Sequence, residues 1–246
     1  MTALTVLWYN VTMLFKSFSE KINTTLGRLS PARRIFLSFA LVIFAGSLLL
    51  SLPFVQATSS QATYFDHLFT AVSMVCVTGL FTQPVATTYN IWGQLICMFL
   101  IQIGGLGLMT FIGVFYIQSK QKLSLRSRET ILESFSYGET QSLMVFIRSI
   151  FLTTFIVEGL GAFLLSFRFV PEFGWGRGIF TSIFVAISAF CNAGFDNFGS
   201  TSLVAFQTDP LINLVLAALI ITGGLGFMVW FDLATQLSKK KRRLRF

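Results

Sequence analysis

Two apolar runs in this chain of 246 residues are too short to cross a membrane, and each stops at a turn that contains glycine. One is Leu68–Leu80, ending Ser73-Met-Val-Cys-Val-Thr-Gly-Leu80; the other is Ile179–Phe195, ending Ser188-Ala-Phe-Cys-Asn-Ala-Gly-Phe195. A helix needs about 20 residues to cross roughly 30 Å of hydrocarbon. Four other runs are long enough: Ile35–Val55, Ile91–Ile117, Leu143–Phe167 and Leu211–Phe231. Only 11% of residues are charged and 54% are hydrophobic, with a mean hydropathy of +0.74. A soluble domain carries about 25% charged residues, so these runs are read as belonging to a polytopic membrane protein.

Charge then sets the topology. Of 18 Lys and Arg, five lie in Lys16–Arg34, five in Lys120–Arg148 and six in Lys239–Arg245. Basic clusters flanking apolar spans mark the cytoplasmic side. The same rule accounts for the pI of about 9.8 without nucleic acid, which is excluded as a partner. The tail Lys239–Arg243 also suits anionic lipid headgroups. With all three clusters on one side, the chain leaves through each odd span and returns through each even one. Both short runs must then enter and exit on the outer side as re-entrant half-helices.

The expected fold is therefore an all-α membrane protein of two tandem parallel helix–re-entrant pore loop–helix units, with four full spans and two half-helices. Its segments are a cytoplasmic stretch 1–34, a first unit 35–117, a basic linker 118–142, a second unit 143–231 and a basic tail 232–246. Residues 1–34 lack a compact apolar core followed by a cleavage site, so no removable signal is expected.

The two units are copies. A shift of 115 residues superposes Phe69/Phe184, Ala71/Ala186, Ser73/Ser188, Cys76/Cys191 and Gly79/Gly194. A shift of 119 superposes Ile101-Gln-Ile-Gly-Gly-Leu-Gly-Leu-Met109 on Ile220-Ile-Thr-Gly-Gly-Leu-Gly-Phe-Met228, leaving four extra residues for a longer outer loop in the second copy. Two full crossings per copy return the chain to its starting side. The copies thus share one orientation about an axis along the membrane normal, unlike inverted transporter repeats.

Non-helical backbone at membrane depth is tolerated only inside protein or against a watery cavity. A half-helix ending in Val77-Thr78-Gly79, or in Asn192-Ala193-Gly194, implies something polar to face. Backbone carbonyls there can replace the hydration shell of a monovalent cation such as K⁺. For Gly104, Gly105 and Gly107, and for Gly223, Gly224 and Gly226, close helix packing and a hinge in a gating helix are both open. Gly79 and Gly194 supply permissive backbone instead.

These residues resemble the Trk/Ktr/HKT superfamily of potassium transporters, in its bacterial Ktr-type branch. Ser73–Leu80, Gln102–Gly107, Ser188–Phe195, Thr222–Gly226 and the opening Leu29-Ser-Pro-Ala-Arg33 carry the resemblance. It implies K⁺ uptake across the cell membrane, with Gly79 and Gly194 supporting selectivity over Na⁺. It leaves Na⁺ as a coupling ion open. It also implies a homodimeric membrane subunit, both termini cytoplasmic, working with a cytosolic nucleotide-binding regulatory subunit. The family has four units per pore and this chain has two. Either it is the N-terminal half of a longer protein, or further chains supply the missing quadrants. A non-conducting subunit that only assembles with full-length or regulatory partners is the alternative function.

Other polar residues have competing readings. Glu158, in mid-span, is a pathway or gating residue, or a hydrogen-bonded interhelical carboxyl. Asp66 caps the first half-helix or draws cations to the mouth. Asp196 is a mouth charge or a local turn ligand. Asn192 cross-links its turn or faces water. Thr78 bonds within its turn or ligates an ion, and His67 is expected at the interface. No nucleophile–base pair, paired catalytic carboxylates or phosphate-binding loop is present, so no enzyme is expected. GGLG lies inside a span and is no dinucleotide fingerprint.

Overall fold

The computed structural model describes residues 31–107, 143–226 and 229–230. The linker 118–142, the tail 232–246 and most of the N-terminal segment lie outside the described residues, and so do the basic residues in them other than Arg33 and Arg34. What is described is helical, with one isolated bridge between Gln56 and Tyr89. The helices are α1 (Pro31–Leu50), α2 (Tyr64–Val75), α3 (Ile91–Leu106), α4 (Leu143–Phe173), α5 (Trp175–Phe190) and α6 (Pro210–Gly224).

Local chemistry sets most helix ends. Asp66 begins α2: its carboxylate accepts the Thr63 backbone N–H and hydroxyl, each at 2.7 Å. Asn90 caps α3 by accepting from Trp92 and Gly93 N–H. Its amide also donates to Phe54 and Gln56 carbonyls, stitching the turn after α1 to the start of α3. Asp209 caps α6 ahead of Pro210, which needs no N–H partner there. The Asp209 carboxylate also meets Arg168 Nε at 3.0 Å, so that cation has a local partner.

The spans differ from the sequence reading in length. Among the described residues, one helix stretch, Arg148–Phe173, is both long and apolar enough to cross a membrane; Ile35–Leu50, Ile91–Leu106, Trp175–Phe190 and Pro210–Gly224 are shorter apolar helices. Within the second and fourth predicted spans the described helices end at Leu106 and Gly224, and the third glycine of each GGLG takes positive φ, Gly107 at 78° and Gly226 at 79°. Residues 108–117 lie outside the described residues. The helix of the second short run begins four residues earlier than expected, at Trp175, and runs 16 residues, or about 24 Å.

Within each unit the second helix packs against the other two: α2 against α1 and α3, α5 against α4 and α6. The two units meet where α3 of the first lies on α5 of the second. A shared core runs through Leu50, Met74, Ile101, Leu165, Phe169 and Phe184. In the second unit, Phe169, Phe173, Phe198 and Phe206 form one cluster, every ring pair between 5.2 and 6.2 Å. It clamps the longer outer loop onto α4. Outward faces carry large apolar side chains such as Phe36, Phe155 and Leu214, each more than 60% exposed. An apolar surface of this extent belongs against hydrocarbon rather than water.

Candidate functional site

Both half-helices end in the same backbone. Cys76 and Cys191 close them in right-handed conformation. The next residues, Val77 and Asn192, are left-handed at φ 55° and 56°, and two residues on Gly79 and Gly194 are left-handed at 73° and 72°. Glycine and asparagine tolerate this region; a β-branched valine is strained there, by about 1–2 kcal/mol. Val77 is thus held in place by its surroundings.

The holding group is the same serine in each copy. Ser73 Oγ accepts the Leu80 N–H at 2.9 Å, and the Ser73 carbonyl accepts the Thr78 N–H at 2.9 Å. In the second copy Ser188 Oγ accepts from Phe195 N–H at 2.8 Å, and its carbonyl accepts from Ala193 N–H at 2.8 Å. Both serines are 2% exposed. Sequence reasoning assigned them no role, although they are among the five positions identical between copies. Thr78 has its in-turn partner, Ser73 Oγ at 2.7 Å.

The two turns abut. A Cβ built on Gly194 would stand 3.2 Å from Gly79 Cα, and one built on Gly79 would stand 3.0 Å from the Ala193 carbonyl oxygen. The structure thus brings Val77–Gly79 and Asn192–Gly194 side by side.

The glycines of the longer helices divide by what they face. A Cβ on Gly104 would reach 2.5 Å from the Val75 carbonyl oxygen, and one on Gly223 would reach 1.8 Å from that of Phe190. Val75 and Phe190 are repeat counterparts, each the last helical residue of its half-helix. Close packing therefore accounts for Gly104 and Gly223. Gly105 faces the other unit: its Cβ position lies 2.4 Å from Cys191 Cβ and Sγ. Gly224 meets only Asn192 Nδ2, at 3.7 Å.

Among the polar candidates, Glu158 is 5% exposed, and its Oε1 accepts from Gln102 Nε2 at 2.9 Å. This is the interhelical bond that sequence left open; its partner was missed, though a glutamine inside an apolar span was the available signal. Asp66 caps α2. Hydrogen bonds from Thr82, then Thr63, lower its carboxyl to about 2. Asp196 is a turn ligand, accepting from Phe198 N–H at 2.9 Å and from the Ser202 hydroxyl. Asn192 is exposed, and its amide reaches the Ile220 carbonyl at 3.4 Å. His67, expected at the interface, is buried within the protein: it is 1% exposed, and its Nδ1 lies 2.9 Å from the Tyr89 hydroxyl. The half-helix begins earlier than expected, at Tyr64, and this carries His67 inside.

A cavity of about 420 Å³ lies away from the turns, between α1 and α3, among apolar residues such as Leu41, Phe54, Trp92 and Ile103. Such a lining does not suit a bare cation.

Residues 31–246 match the family described as "TrkH: Cation transport protein". The chain belongs to the TrkH cation transport family. Among curated relatives in this family, it is 43% identical over 214 residues to "Potassium/sodium uptake protein NtpJ" of Enterococcus hirae, covering 87% of this chain and 47% of that one. It is 39% identical over 205 residues to "Ktr system potassium uptake protein B" of Bacillus subtilis, covering 83% and 45%. It is 30% identical over 227 residues to "Ktr system potassium uptake protein D" of the same organism, covering 92% and 50%. The chain spans about half the length of the curated relatives it matches. As a TrkH family member it is a membrane protein of the cation transport class, and the resemblance to the Ktr-type branch is borne out.

Proposed function

We propose that this chain supplies two of the filter segments through which a potassium uptake protein of the cell membrane conducts K⁺. The observation that carries the reading is the pair of congruent turns, Val77–Gly79 and Asn192–Gly194, meeting glycine to glycine. Left-handed residues alternate with others in both, a backbone that lets consecutive carbonyls face one side. Neutral carbonyl dipoles replace a monovalent cation's hydration shell and still let the ion leave. Strain at Val77 fits a functional segment. The relatives' names as potassium and potassium/sodium uptake proteins support K⁺ as cargo, with Na⁺ as a second ion.

In this reading both half-helices re-enter from the outer side and both termini are cytoplasmic. Two segments cannot encircle an ion, so a working pore needs two more, from a longer chain or from further copies. The Ktr-type resemblance adds a cytosolic nucleotide-binding regulatory subunit as partner.

Complementation tests it. Cells lacking K⁺ uptake should grow at low K⁺ when the assembled protein is present, and Gly79→Ser should lower K⁺ over Na⁺ discrimination. A well-inserted assembly that gives no growth overturns conduction, and leaves the chain as a non-conducting membrane subunit. Unchanged discrimination in Gly79→Ser removes that turn from the filter.

A further inference from the structure

We propose that Gln102 and Glu158 are positioning residues that hold the second turn segment, Cys191–Gly194, from behind. This rests on reading that segment as part of the filter. Gln102 sits on α3 of the first unit and Glu158 on α4 of the second. They are 8% and 5% exposed and joined by a 2.9 Å hydrogen bond. Cys191 lies against the pair: its Sγ is 4.0 Å from the same Glu158 oxygen. One turn along α3 from Gln102, Gly105 leaves room for the Cys191 side chain, with its Cβ position 2.4 Å from that sulfur. The glycine gives the turn a seat, and the glutamine–glutamate bond fixes the two helices that frame it.

The two copies differ at this position. Under the 119-residue shift, Gln102 corresponds to Ile221, which is 62% exposed. Cys76, the counterpart of Cys191, is exposed, whereas Cys191 is buried. The polar pair therefore serves the seam between these two units and the second turn.

Stability does not account for the pair. Buried polar pairs are often no more stabilising than apolar residues of the same volume, yet breaking one by removing a partner is strongly destabilising. Two buried oxygens beside it, Gln102 Oε1 and Thr154 Oγ1, have no partner among the described residues. Unsatisfied buried groups call for an explanation. Among the described residues no cation pairs with Glu158 either; the recorded ion pair is Arg168–Asp209. A costly hydrogen bond that spans two units and touches the turn has geometry as its product.

Thiol accessibility in the full chain tests this without needing conduction. Cys191 alkylation by N-ethylmaleimide is followed by peptide mass spectrometry, with exposed Cys76 as the reactive reference and buried Cys97 as the fold control. Gln102→Leu keeps volume and removes the bond; Glu158→Gln keeps a bond to Gln102. Gln102→Leu should raise Cys191 alkylation about tenfold or more, since each ~1.4 kcal/mol of lost local stability is a factor of ten. Glu158→Gln, and the swap Gln102→Glu with Glu158→Gln, should stay near wild type. Protection of Cys191 unchanged in Gln102→Leu overturns the proposal. So does equal labelling of Cys97, which signals general loosening, or a swap that labels as strongly as Gln102→Leu. The filter reading fails separately, if Gly79→Ser leaves ion discrimination unchanged while the thiol result stands.

Discussion

Replacing Gly223 by alanine asks the most of this architecture. The added Cβ would stand 1.8 Å from the Phe190 carbonyl oxygen, short of the 3.4 Å where ordinary contact begins by about 1.6 Å. The obstacle is the backbone of the last helical residue before the second turn, so no side chain can swing aside. Either α6 moves away from α5 or the turn is pushed toward its neighbour. Overpacking of this kind costs about 1–3 kcal/mol or more, against about 1 kcal/mol that alanine gains over glycine in a helix. With the carbonyl unable to yield, the cost sits at the upper end of that range, and a net loss of about 2 kcal/mol lowers the melting temperature by about 4–8 °C for a chain of this size. Gly104→Ala is the milder version, short of ordinary contact by about 0.9 Å at the Val75 oxygen. Gly159→Ala is the control: it lies in α4 with nothing within 4 Å, so it keeps the propensity gain. Thermal unfolding in detergent, followed by tryptophan fluorescence, should rank Gly159→Ala at or above wild type, then Gly104→Ala, then Gly223→Ala. A Gly223→Ala protein that melts with wild type would refute the close approach of α6 to the second turn, and with it the packing account of both glycines.

Four further outcomes follow from the same geometry. Val77→Asn copies the second turn's residue into the left-handed position and should raise stability by about 1 kcal/mol, measured by the same unfolding. Ser188→Ala leaves the buried Phe195 N–H without its acceptor and should cost about 1–3 kcal/mol, visible as faster amide exchange at Phe195. Asn90→Ala removes a helix cap worth about 0.5–2 kcal/mol and also frees the Phe54 and Gln56 carbonyls. Limited proteolysis should then cut first around residues 54–60. Asp66 has a folded-state pKa lowered to about 2, below the unfolded value of about 3.9. Its contribution is full above the unfolded value and is lost as pH falls from there through about 2. The stability difference between wild type and Asp66→Asn should stay constant from pH 7 to about 5 and shrink only in stronger acid.

Much of the site was legible in the sequence because the repeat doubles each signal. A single glycine after a short apolar run is ambiguous. Cys76–Gly79 and Cys191–Gly194 at one spacing are not, and both close a half-helix with the same left-handed positions. The Asp66 cap was among the readings the sequence offered, since a cap depends on residues within one turn of it; the Asp209 cap was passed over. The misses are of another kind. Nothing near His67 signals Tyr89, 22 residues on, and nothing near Glu158 signals Gln102, 56 residues back. The positive φ of Gly107 and Gly226 was not legible either, because hydropathy continues past both while the backbone turns there.

By itself the sequence determined the helical class, the two-unit repeat, the membrane setting and the family, because these rest on composition and on order along the chain. It also placed glycine at the last position of each turn and at the close approaches between helices. Tertiary structure decided what each glycine is for. Gly104 and Gly223 admit a carbonyl, Gly105 admits a cysteine of the other unit, and Gly79 and Gly194 meet each other. It also decided that Glu158 is bound rather than free, and that the second turn is buried at Cys191 while the first is open at Cys76. The reason is physical. Periodicity reports the path of one helix, whereas which atoms meet between helices depends on how closely they pack, and that distance is written in no local pattern.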